Sequence, residues 1–123
     1  MTIRAAGRQS EFFADFSPEE LILLNNCLNE VANGFKISSQ HREYLGASPE
    51  RILSLLSAIH QAVSSDPQEA IRLDSRELAA LAKAVHLAVA ELESEFSIRT
   101  GSSVGEAEEL ANEIERYVRP ESD

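Results

Sequence analysis

The chain of 123 residues has no tryptophan, one cysteine and one methionine. The single thiol, Cys27, excludes any intramolecular disulfide. No base can be assigned to it from the sequence, so a small buried side chain explains it better than a nucleophile. Glycine and proline number only 5 and 4, too few for a fold rich in turns and short strands. Basic residues are scarce as well: 11 Lys and Arg against 21 Asp and Glu give a formal net charge of −10. Affinity for nucleic acid or an anionic membrane needs a basic surface, so neither is an expected partner. The longest apolar run, around Ala84–Ala90, is interrupted by His86 and is far too short to span a bilayer. Arg4 and Arg8 are followed by no apolar stretch, so the start of the chain is not read as a secretory signal. The expected compartment is the cytoplasm.

What is present points to helices. A hydrophobic content of 43% with 26% charged residues is ordinary for a soluble globular chain, and Leu, Ala, Glu and Ser are abundant. The expected fold is all-α: a compact bundle of four main helices plus one short helix. One domain is expected over residues 17–119, behind a flexible arm at 1–16 and before a frayed tail at 120–123. Phe12 and Phe13, within that arm, are expected to dock on the bundle.

The clearest element is Ser17–Gly34. Ser17 is a good N-cap, Pro18 fits the first helical position, and Glu20 can close a capping box with Ser17. Phe16 and Leu21 hold the staple positions. Leu21, Leu24, Leu28 and Val31 share one face, and Asn33-Gly34 supplies a stop. Asn25, Asn26, Asn29 and Asn33 are unusual there, because Asn is roughly 0.5–0.7 kcal/mol worse than Ala inside a helix. A solvated polar face is the plain explanation. The sharper one has Asn29, Glu30 and Asn26 tying down a neighbouring loop or meeting a partner.

Phe35 and Ile37 are expected to return to the core, and Ser38 or Ser39 to cap a short helix ending at Leu45-Gly46. Ser48-Pro49 opens a helix to about Ser64, with Ile52, Leu55, Leu56, Ile59 and Val63 inward. Ser65-Asp66-Pro67 is punctuation, and Gln68–Leu73 is read as a short turn or an extended connector. Asp74 caps the longest helix, Ser75–Phe96, about 33 Å by its rise per residue. Its alanines, among them Ala80, Ala84 and Ala88, suit a central helix approached closely by more than one neighbour. A loop at Thr100–Gly105 leads to a last helix, Glu106–Val118.

Two stretches of the chain can be aligned. Ser17, Glu20 and Phe16/Leu21 match Asp74, Glu77 and Leu73/Leu78, and Gly46-x-Ser48 matches Gly101-x-Ser103. Leu55, Ile59 and Val63 then fall on Leu110, Ile114 and Val118. The halves 16–64 and 73–119 therefore read as two repeats of a helix-turn-helix-like unit. Leu28–Gly34 (LNEVANG), Glu95–Ser103 (EFSIRTGSS) and the GEAEEL that follows resemble stretches of small uncharacterised bacterial helical proteins. Those read approximately as LNEV-x-NG, EF-x-x-R-x-G and an EA-x-x-L helix. The resemblance covers about a third of the chain and implies a doubled version of that unit, with no particular activity.

Several constellations carry possible chemistry. His41–Leu56 (HREYLGASPERILSLL) has the turn and packing positions of a DNA-binding helix-turn-helix. Against that, His41-Arg42 stands where apolar residues are usual, and Glu50 would face phosphates. His60 and His86 lie on separate helices, as a phosphotransfer bundle would have them, but AVHLAVAE around His86 lacks the usual Lys-Gly pair. Partly buried neutral histidines are the expectation for both. Acidic residues gather at Glu91, Glu93, Glu95 and at Glu106, Glu108, Glu109, Glu113, Glu115, without His or Cys at ligand spacing and without calcium-loop spacing. No catalytic residue, metal site or cofactor is therefore expected, and the chain is not read as an enzyme. The function read is a non-catalytic intracellular protein-interaction module of bacterial character, in its most concrete form a small acidic inhibitor or immunity-type protein. The alternative is a helix-turn-helix DNA-binding transcription factor. The partner is expected to be a protein, a basic one suiting the charge, and a homodimer is compatible with the sequence. The protein-binding candidates are Asn26, Asn29, Glu30, Glu106, Glu109 and Glu113.

Overall fold

Two short strands, not a helix, begin the architecture, and a third joins them from later in the chain. The computed structural model describes residues 1–5, 11–34, 38–65 and 70–118. Strands β1 (Thr2–Ala5), β2 (Glu11–Asp15) and β3 (Ile71–Asp74) form an antiparallel sheet in the order β1-β2-β3. This corrects the all-α expectation: the protein is mostly helical with a small sheet. Two of the strands also occupy the stretch expected as a flexible arm.

The sheet register shows how residues 2–5 and 11–15 are held. Ile3 pairs with Ala14, and Phe12 with Leu73, and these residues share the inward face. Ile3, Ala14 and Leu73 are buried, and Phe12 packs partly buried against them. On the outer face Phe13 stands between Arg4 and Arg72 of the flanking strands, whose guanidinium carbons lie 5.6 and 5.9 Å from the ring centroid. Each such cation–π contact at a wet surface is worth about 0.5–1 kcal/mol.

Helix α1 (Pro18–Asn29) starts as its residues dictate. Ser17 Oγ accepts from the Glu20 N–H, and Glu20 Oε1 accepts from the Ser17 N–H. Past Asn29 the helix widens into a π turn over Glu30–Gly34, which the regular apolar spacing did not signal. Helix α2 (Ser39–Leu45) is capped by Ser38 and ends at Gly46, whose φ of 67° is the left-handed conformation glycine adopts without strain. Helix α3 (Pro49–Ser64) follows the Ser48 cap and buries Ile52, Leu55 and Ile59. Expectations for Phe35, Ile37, Asp66-Pro67, residues 6–10 and the tail from 119 lie outside the described residues.

Asp74 is both the last residue of β3 and the N-cap of α4 (Ser75–Leu92); its ψ of 174° serves both roles. Helix α4 is the centre of the fold, packing on α6 most extensively and also on α1, α2 and α3. Ala80, Ala82, Ala84 and Ala88 are buried alongside Leu78, Leu81 and Val85, which lets neighbours approach on several faces. The helix is shorter than the expected Ser75–Phe96. It breaks at Glu93 (φ 48°, ψ −119°), makes a tight turn over Glu93–Glu95, and restarts as α5 (Phe96–Thr100). The break carries Phe96 into the core, fully buried, and sets α5 against α1. A second left-handed glycine, Gly101 (φ 77°), ends α5.

Helix α6 (Val104–Val118) begins two residues before the expected Glu106. Ser103 caps it, with Ser103 Oγ accepting from the Glu106 N–H at 3.1 Å and Glu106 Oε1 accepting from the Ser103 N–H at 3.2 Å. The order strand, long helix, short helix ended by a left-handed glycine, capped helix thus occurs twice, from β2 to α3 and from β3 to α6. Leu55 and Ile59 in the first run, and Leu110 and Ile114 in the second, are all buried.

Candidate functional site

The N-terminal turn of α1 lies beside α6, and an open groove of about 190 Å³ runs between them. On α6, Glu106, Glu109 and Glu113 recur at spacings of three and four, which lines them along one face. From α1, Glu19 and Glu20 complete five carboxylates around a floor that includes Leu23 and Leu110. Two of the five are engaged. Glu20 holds the Ser17 N–H at 2.8 Å and lies 3.3 Å from the Met1 amino group. Glu106 accepts from the Ser103 N–H and hydroxyl, the latter at 3.0 Å. Glu19, Glu109 and Glu113 have no hydrogen-bond or ion-pair partner among the described residues. Three unneutralised carboxylates at the rim of a concave surface concentrate negative potential there.

Glu106, Glu109 and Glu113 are therefore brought together. Asn26 and Glu30 sit elsewhere, in the seam between α1 and α5. Asn26 Nδ2 donates to the Thr100 carbonyl at 2.8 Å, and the Arg99 guanidinium lies 2.9 Å from Glu30 Oε1. Glu30 is buried at 7% exposure; Arg99 Nε donates to its Oε2 at 3.3 Å, while Oε1 accepts no hydrogen bond among the described residues, so the nearby guanidinium charge offsets only part of the burial cost. Both residues hold a neighbouring segment, one of the two roles their sequence suggested. Asn29 is exposed; its Oδ1 accepts from Asn33 Nδ2 at 3.1 Å, and it faces α3 across a different groove. Asn25 Oδ1, next to it, is buried without a hydrogen-bond partner among the described residues.

Glu19 and Glu20 escaped sequence reasoning as groove residues. Acidic groups in a first helical turn are explained by capping and the helix dipole, and the proximity of α1 to α6 is a tertiary fact without a local signal.

Of the other reactive side chains, Cys27 is withdrawn into the core and His86 is occupied. Burial pushes the Cys27 thiol up to about 12 from its ordinary 9.0, with the nearby Glu30 carboxylate adding to the rise. A thiol held neutral at pH 7 is a poor nucleophile. His86 on α4 is partly buried between two α6 carboxylates. Its Nδ1 meets Glu108 Oε1, and its Nε2 lies 3.4 Å from Glu115 Oε1. Carboxylates at both ring nitrogens would repel an incoming phosphoryl group. His60 is exposed on α3, where a partly buried histidine was expected. Beside His86, Lys83 lies over the Tyr44 ring at 5.7 Å. Burial, then Glu115 and Glu108, raises the Tyr44 phenol above its usual range. No group of three or more His, Cys, Asp or Glu among the described residues is placed to hold a metal ion.

Helices α2 and α3 follow one another across the turn at Gly46–Ser48. The exposed side of α3 offers Glu50, Leu53, Ser57 and Gln61, and Arg51 lies 3.8 Å from Asp74. No helix among the described residues is long and apolar enough to cross a membrane. Comparison of the chain with protein-family models, with curated proteins and with solved structures found no match.

Proposed function

We propose that the chain is a non-catalytic protein-interaction module that takes a basic segment of a partner protein in the groove between α1 and α6. The observation that carries this reading is the convergence of Glu19, Glu20, Glu106, Glu109 and Glu113 on one groove. The net charge of −10 reinforces it at long range, by speeding encounter with a cationic partner. A small acidic inhibitor or immunity-type protein, working inside a bacterial cell, is the most concrete form of this role. The helix-turn-helix reading is weaker, because Arg51 is the one Lys or Arg on the would-be recognition helix, and it lies beside Glu50 and 3.8 Å from Asp74.

The test is retention of partners from a lysate by immobilised wild type and by a Glu106→Gln, Glu109→Gln, Glu113→Gln variant. Proteins with basic surfaces should bind the wild type, elute as salt is raised, and be lost from the variant. Equal retention by the two would remove the groove from the function.

A further inference from the structure

We propose that α5 is a conformational switch: seated on α1 it breaks α4 at Glu93, and released it lets α4 run on as one helix to Thr100. The local sequence favours the run-on state. Residues 75–100 contain no glycine or proline, so nothing within them forbids a continuous helix. Leu92 and Phe96 are four apart, and an unbroken helix would set both on one face. Gly101 ends α5 in the left-handed conformation and would end the longer helix at the same place. Against all this, Glu93 takes a φ of 48°, the only positive φ of a non-glycine residue among those described. That conformation is strained for any residue with a side chain.

The break is imposed from outside α4. Phe96 is fully buried in the core, Asn26 of α1 donates to the Thr100 carbonyl, and Glu30 beyond it pairs with Arg99. The seat is itself incompletely satisfied, because the buried Glu30 Oε1 accepts no hydrogen bond among the described residues. Local preference and tertiary anchors thus disagree, and the disagreement is concentrated at one residue. Two packings of one segment are the structural requirement of a switch.

Release reaches the acidic groove. Lys83 and Glu115 line one surface with Ala79 and Val118, so α6 runs back along α4 and starts near its end. A run-on helix carries Thr100 about 12 Å past Leu92 by its rise. Residues 101–103 span at most about 14 Å, too little for that rise together with the 8–10 Å between packed helices. The Ser103 cap and the first turn of α6 must therefore open. Ser102 and Glu106 line the acidic groove, which loses that end. A basic segment bound there would favour the seated state, since the complete groove exists only in it. This coupling rests on the protein-interaction reading; the two states do not.

Pulsed dipolar spectroscopy tests the switch, with spin labels on Arg76→Cys and Ile98→Cys in a Cys27→Ala background. Both labelled positions are exposed. A continuous helix fixes their separation at about 33 Å, and the break at Glu93 shortens it. The labelled protein should show the shorter distance. Adding Asn26→Ala and Arg99→Ala should shift it to one narrow distance near 33 Å. Glu93→Gly on top of these should shorten it again, because glycine relieves the seated strain and weakens a helix interior. In unlabelled protein with Cys27 intact, Asn26→Ala with Arg99→Ala should move the Glu93 Cα chemical shift to its helical range. A broad spread of distances, or an unmoved Glu93 shift, would overturn the switch. Hexalysine at low salt should restore the shorter distance in the released variant. If it binds the wild type yet leaves the long distance, the coupling fails and the groove reading stands. If it does not bind the wild type, the groove reading fails with the coupling, and the distances still decide the switch.

Discussion

Asn26 donates its side-chain amide to the carbonyl of Thr100, joining residues 74 apart in sequence at 2.8 Å. One turn further along α1, Glu30 receives Arg99, so two successive contacts seat the α5 turn on α1. Asn26→Ala should cost about 1 kcal/mol, the usual net worth of a hydrogen bond. Arg99→Ala should cost more, about 2 kcal/mol, because it strands the Glu30 carboxylate in a buried site. Arg99 is itself 40% exposed, which keeps the figure below that of a fully buried pair. Urea unfolding of the two single variants and the double variant measures both terms. Because they hold one segment, their effects should fall short of additive.

Cys27 sets a pH dependence. Its folded-state pKa is about 12 against an ordinary 9.0, so between those values the folded state holds a proton that the unfolded state releases. Stability therefore falls as pH rises through that window, by up to about 1.4 kcal/mol for each pH unit. Cys27→Ala should be less stable at neutral pH but should lose this alkaline slope. Unfolding curves from pH 8 to 11 check it, and a thiol reagent should label the wild type only as fast as it unfolds.

Glu93 holds a backbone conformation (φ 48°, ψ −119°) that costs a residue with a side chain about 1–3 kcal/mol. Glu93→Gly should recover part of that, about 1 kcal/mol after its own entropic loss, and raise Tm by about 4 °C. Glu93→Ala should not. Calorimetry of the pair separates relief of backbone strain from loss of a carboxylate.

The starts of the helices were legible because each is written in adjacent residues. Ser17, Ser48 and Asp74 cap where their sequence placed them, Ser38 is the one of the two candidates Ser38 and Ser39 that caps, and Leu21, Leu24 and Leu28 face the core. Ser103-x-x-Glu106 carried the same signal two residues ahead of the expected start of α6. The sheet was not legible: its strands are 4–5 residues long, and β2 pairs with a strand far along the chain. Nor was the break at Glu93, because Phe96 continues the apolar stripe of α4 as if the helix ran on. Half of the acidic groove could be read from α6 alone. The rest depended on where α1 comes to lie.

Strand β2 reaches β3 across a long interval; Arg72 meets Glu11 from 61 residues away. Closing a loop of that length costs roughly 3–4 kcal/mol of chain entropy before any ladder bond forms. The helix pairs α1–α3 and α4–α6 close much shorter loops, so they are positioned to form first. The sheet then joins chain segments already brought near by those helices. Its contacts should act chiefly on the unfolding rate, making three short strands a brake on opening and not the seed of folding.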